Sequence, residues 1–198
     1  MGANAMRLAT MATLALLGGC AASIPAAQVT RFHASQPITR GEIGIAPRDA
    51  AQGASLEFEN YTMSLARELR ALGFTVAAPS AHPDLVALID ITRETVLTGP
   101  ERSPLSIGLG GGTGGGGVGI GGGVSFPIGK ATAPEAVRTE LFVQIRRHSD
   151  DSALWEGRAK LQARSGTPYA SPAAAVDKLA AALFRDFPGE SGTTITVK

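Results

Sequence analysis

Three histidines, one cysteine and a run of glycines are the groups in this chain with the most chemical potential. His82 stands beside Pro83-Asp84, His148 beside Asp150-Asp151, and His33 ends an alternating stretch. The spacings match neither the paired histidines of a helical zinc site nor the elbow of a serine nucleophile. Asp84 and Asp90 are six apart on a predicted strand and share a face, but about 20 Å separates them, too far for paired carboxylate chemistry. Residues 108–123 hold twelve glycines. Gly110 to Gly115 formally satisfy a dinucleotide-binding fingerprint, yet no crossover helix follows and no acidic residue stands at the required distance. Gly129-Lys130-Ala131 lacks the hydroxyl residue a phosphate loop needs after its lysine. The residues therefore predict no catalytic group, no cofactor, no metal site and no enzyme activity.

The lone thiol is different. Arg7 precedes the apolar run Leu8–Leu17, and Leu17-Gly18-Gly19-Cys20 follows it. This is a secretory signal: a positive start, an apolar stretch too short to span a bilayer, and a small-residue cleavage site. Leu17-Gly18-Gly19-Cys20 looks like a lipobox, in which acyl chains of the palmitate type are attached to the thiol and the chain is cut before it. Met6 is an alternative start, since Met6-Arg7 makes a tidier positive region and leaves the reading unchanged. Residues 1–19 are expected to be removed, and Cys20 to become a lipidated N-terminus that anchors the protein without spanning the membrane. Ala21, where an aspartate would favour the inner membrane, points by resemblance to Gram-negative lipoprotein sorting to the outer membrane, facing the periplasm. Residues 20–28 read as a tether. A single cysteine excludes an internal disulfide.

Removing residues 1–19 takes away Arg7 and leaves 17 basic against 17 acidic residues. A nucleic-acid binder needs a basic excess to neutralise phosphates, so no nucleic-acid partner is expected.

The elements that must position these groups follow from periodicity. Val29–His33, Glu42–Ala46, Phe74–Ala77, Leu85–Val96, Leu141–Arg146, Trp155–Arg164 and Thr193–Val197 alternate as strands. Phe58, Tyr61, Leu65, Leu69 and Leu72 form a helical stripe, with Ser55 placed to cap it and Gly73 to end it. Ser171-Pro172 opens a second helix carrying Val176, Leu179, Leu183 and Phe187 inward, ending at Pro188-Gly189. The fold class this implies is α+β: a mostly antiparallel sheet with two helices on one face and the other face wet or met by a partner. Residues 29–198 form one domain, with a glycine-rich insertion at 103–129 between two strands. Leu65, Leu69, Ile89, Val143, Trp155 and Leu183 are the expected core.

The insertion itself has two readings. Glycine maximises backbone freedom, which suits a flexible connector. Between Arg102 and Lys130 there is also no charge, and Leu105, Ile107 and Leu109 mirror Val118, Ile120, Val124 and Phe126. A hairpin so patterned could insert into a membrane, closing a barrel in an oligomer as the curli-secretion lipoprotein family does.

Gly41–Pro47, Ser55–Phe58 with Tyr61, Leu72-Gly73-Phe74, Pro83–Val86, Leu154–Ala159 and Phe184–Gly189 together carry a family resemblance. The chain resembles the bacterial envelope lipoproteins classed as domain of unknown function 4136, over most of residues 29–197. The resemblance implies an α+β lipoprotein domain without an assigned activity. The expected function is a non-catalytic binding or assembly-accessory module, held to the membrane by acyl chains on Cys20 and meeting an envelope protein partner. The alternative is a subunit of an oligomeric outer-membrane channel inserting residues 103–129.

Overall fold

A computed structural model describes residues 24–34, 37–78, 82–99, 106–108, 125–127 and 134–198. The signal segment, Cys20 and residues 109–124 of the glycine tract lie outside the described residues.

Nine strands and two α-helices are present among them: β1 (Ala27–His33), β2 (Glu42–Pro47), α1 (Leu56–Ala71), β3 (Thr75–Val76), β4 (Leu85–Leu97), β5 (Ser106–Gly108), β6 (Ser125–Pro127), β7 (Glu135–Arg147), β8 (Ala153–Arg164), α2 (Pro172–Phe184) and β9 (Thr194–Val197). Seven of the strands form one sheet in the order β3-β2-β4-β7-β8-β1-β9. β5 and β6 form a separate antiparallel pair. The long β4 and β7 pair from Leu85↔Arg147 to Leu97↔Glu135, and β8 continues the meander through a turn at residues 148–150.

The sheet is mixed, which corrects the expectation of a mostly antiparallel one. β2 pairs in parallel with β3 on one side and with β4 on the other. The cause is α1. A 16-residue helix between β2 and β3 is long enough to carry the chain back across the sheet, so β3 starts at the same end as β2 and runs the same way.

Local signals set the helices. The Ser55 hydroxyl accepts from the Glu57 amide at 3.1 Å, satisfying one of the free donors at the start of α1. At the other end Gly73 takes φ +90°, a left-handed conformation that a side chain would resist. α2 stops at Phe184, earlier than its apolar pattern suggests. Arg185 leaves helical geometry and Asp186 takes φ 55°, so Phe187 turns back onto Trp155, with ring centroids 5.3 Å apart.

Both helices cover the same face of the sheet. Leu65 and Leu69 of α1 and Val176, Leu179 and Leu183 of α2 join Ile89, Val143 and Trp155 in one core cluster, each fully buried. All six residues expected as core belong to it. Gly157 allows the close approach of α2, because a Cβ there would stand 2.4 Å from the Trp155 ring and 2.7 Å from Leu183. β1 begins at Ala27, two residues earlier than its alternation suggested, because Ala27 and Gln28 already pair with Val197 and Thr196.

Candidate binding cleft

The register of the sheet defines two poles. At one, β4 and β8 end and β7 begins; at the other, β4 begins, β7 and β1 end, and β8 starts from the turn. The second pole carries a cleft of about 420 Å³.

Its walls are built by short-range bonds. Asp150 accepts from the Ser152 hydroxyl at 2.7 Å and the Ser152 amide at 3.1 Å, which folds the β7–β8 turn tightly. Arg147 donates to Asp150 at 3.1 Å and to the Ser152 hydroxyl at 2.9 Å. The Ser152 hydroxyl, then its amide, then Arg147 hold the Asp150 carboxyl below its ordinary pKa. The His148 amide donates to the Asp84 carbonyl at 2.8 Å and so fastens this turn to the entry of β4. Two histidines that are 66 positions apart thereby meet: the His82 and His148 rings are 6.4 Å apart, centroid to centroid, at 71°. Pro83, Leu85, Leu154 and Ile38 supply an apolar lining beneath them.

The arrangement suits binding. An apolar trough with imidazoles, a carboxylate and a guanidinium at its margin can orient a mixed apolar and polar ligand through a few polar contacts. Asp84 and Asp90 remain apart as expected: Asp84 borders the cleft, and Asp90 lies opposite Phe142 in the middle of the sheet. Among the described residues no three histidine, cysteine or carboxylate groups cluster as metal ligands. His33 engages a different partner, its Nε2 3.0 Å from the Gly189 carbonyl.

The open face of the sheet offers a second polar surface. Phe142 lies there beneath two guanidiniums, Arg48 and Arg158, each 4.8 Å from its centroid. Arg158 also donates to Glu140 at 3.1 Å, and Gln144 donates to Glu156.

One structurally decisive residue escaped the sequence reading. Arg31 is 3% exposed, on the covered face of β1. It donates to the carbonyls of Leu183 at 2.9 Å, Ala182 at 3.0 Å and Arg185 at 2.9 Å, closing the free carbonyl end of α2 with positive charge. Burial lowers its pKa and the charge of Asp186 pulls it back up. Gly189, at φ +78°, passes so close that a Cβ there would stand 2.7 Å from the Arg31 side chain. Trp155 Nε1 donates to the Pro188 carbonyl at 3.0 Å. The stretch Phe184–Gly189 is therefore a clasp around Arg31 and Trp155. The signal was available: Val29 and Arg31 share parity, so an inward Val29 implies an inward Arg31.

The family model described as "Domain of unknown function (DUF4136)" matches residues 27–189. An uncharacterized protein of Zymomonas mobilis subsp. mobilis is 35% identical over 211 residues, covering 86% of this chain and 80% of that protein. Among solved structures, a PDZ domain protein from Parabacteroides distasonis aligns with a TM-score of 0.46 at 13% identity. That alignment covers 87% of this chain, which spans 39% of that protein's chain. A PelC dodecamer from Paraburkholderia phytofirmans aligns with a TM-score of 0.38 at 12% identity, covering 76% of this chain and 93% of that one.

Proposed function

This chain belongs to the DUF4136 family, and from that premise we propose that it is a lipid-anchored, periplasm-facing lipoprotein of the outer membrane that works by binding rather than catalysis. The observation that carries the reading is a spacing. The first strand begins at Ala27, seven positions after the cysteine of Leu17-Gly18-Gly19-Cys20. Seven residues span at most about 25 Å, so acyl chains on Cys20 would hold the folded domain directly against the bilayer. The cleft between His82 and His148 supports the binding role, with an envelope protein partner as its expected ligand. Mass spectrometry of the mature N-terminus tests the anchor: a diacyl or triacyl adduct on Cys20 is expected. A Cys20→Ser protein that still fractionates with membranes would overturn it. For the binding role, a photo-crosslinker at Ser149, beside the cleft, should trap a discrete envelope partner that is lost on His148→Ala.

A second reading has one observation in its favour. β5 and β6 pair antiparallel, with Ile107 opposite Phe126, the start of the hairpin that a channel subunit would insert. Ion conductance of the purified protein in planar bilayers is the result this reading requires.

A further inference from the structure

We infer that the pole where β4 ends and β1 begins is the surface that lies on the bilayer, which holds the His82–His148 cleft at the opposite, water-facing pole. The inference rests on lipidation of Cys20 and goes beyond it by fixing which way the domain faces.

The register carries most of the argument. Gln28 pairs with Lys160, Lys160 with Glu140, and Glu140 with Thr92, so Ala27, the root of the tether, is level with Arg93, about two thirds of the way along β4. From Arg93, Leu97 lies four residues in one direction and Leu85 eight in the other. At about 3.3 Å per residue the cleft pole is roughly 26 Å from the tether root. A seven-residue tether reaches at most about 25 Å. To set the cleft pole on the membrane, the tether would have to run fully extended along about two thirds of the length of β4, with no length left to enter the bilayer. The opposite pole needs only a fraction of that reach.

Three of the five most exposed apolar side chains fall on the same half, while Phe32 lies toward the cleft pole and Met63 in the middle of α1. Among the described residues five large hydrophobic side chains are exposed, and Ile24 (61%), Leu56 (78%) and Leu97 (69%) are three of them. Ile24 is in the tether, and Leu97 ends β4. Leu56 opens α1, whose first turn lies beside Ile91 and Arg93. The β4–β7 ladder closes at this pole, where Thr98 bonds to the Pro134 carbonyl through its amide at 2.7 Å and its hydroxyl at 2.8 Å. The occupant of this pole is therefore a lipid surface. Charge there is mixed, Arg138 and Arg164 against Glu94 and Glu135, so apolar contact drives the seating and anionic lipid is not required.

The only cysteine of the chain makes the test selective, since acylation blocks its thiol. Full-length protein made in a bacterial host is purified and reconstituted into phosphatidylcholine vesicles containing a nitroxide-headgroup lipid. Leu97→Cys marks the near pole, with Leu56→Cys as a second reporter if the first fails to fold. Ala153→Cys marks the far pole, at an exposed position outside the cleft. Each is labelled with a thiol-reactive fluorophore. Unsubstituted protein should take up no label, and emission at 97 or 56 should be quenched several-fold more than at 153. Equal quenching, or stronger quenching at 153, with Cys20 blocked overturns the orientation alone. Label uptake by the unsubstituted protein overturns the lipidation, and the orientation with it.

Discussion

Arg31 shows how much a single side chain can hold. Its guanidinium meets three carbonyls at the end of α2, and no water can replace it at 3% exposure. Arg31→Met should therefore leave three carbonyls unpaired, costing about 3 kcal/mol. For a domain of this size that is a fall in melting temperature of about 6–12 °C by calorimetry. Arg31→Lys keeps the charge but loses the planar fork, so an intermediate fall is expected. A loss no larger than that of an exposed arginine such as Arg164→Met would show that the clasp is not what stabilises α2. Asp150 has an opposite character, because it is exposed and its effect is local. Its depressed pKa means the turn's contribution is present above the ordinary carboxylate range and fades as pH falls through the lowered value. Ser152→Ala removes the largest cause, so NMR titration should find the Asp150 carboxyl closer to its ordinary pKa. An unchanged titration would mean that the hydroxyl does not set it.

At the scale of elements, periodicity was legible and partnership was not. The stripe Phe58, Tyr61, Leu65, Leu69 and the alternation around Ile89, Val143 and Trp155 each specify one buried face, and those faces are the ones buried. Leu65→Ala and Leu69→Ala should each cost about 2–5 kcal/mol, read as denaturation midpoints, since both are fully enclosed between α2 and the sheet. Two midpoints unchanged from the parent would deny α1 its place in the core. The mixed sheet was harder to see. Alternation tells which side chains face inward, but it is blind to strand direction, and the parallel pairs β2–β3 and β2–β4 follow from the length of α1. The end of α2 was missed because Phe187 keeps helical spacing while its backbone has already turned. The cleft was invisible for a related reason: His82 and His148 meet only because a backbone bond from His148 to Asp84 joins the two chain segments.

On the scale of the whole molecule, the question is what residues 103–129 contribute to a domain whose core, among the described residues, is built from the seven-stranded sheet and the two helices. β4 and β7 pair along thirteen positions, up to Leu97↔Glu135, and the Thr98–Pro134 bonds close the ladder just beyond. The two strands are thus held together by their own register, independent of the chain that connects them. Removing 103–129 and joining the flanks shortens the connection between Thr98 and Pro134 several-fold. Loop-closure entropy changes by only about 0.6 kcal/mol per doubling of length, so the shortened protein should be as stable as its parent or slightly more so. Its melting temperature should stay within a few degrees, and its seven-stranded sheet should persist in the circular dichroism spectrum. Function separates the two readings of the segment. A connector that touches only the lipid surface predicts that the shortened protein stays acylated, stays on membranes and still crosslinks from Ser149. A channel subunit predicts conductance from the full chain that vanishes on removal, together with detergent-resistant oligomers that fall apart. Twelve glycines carry a large ordering entropy and give lipid no side chain to meet, so the connector is the expected outcome. Conductance from the full-length protein, absent from the shortened one, would decide for the channel.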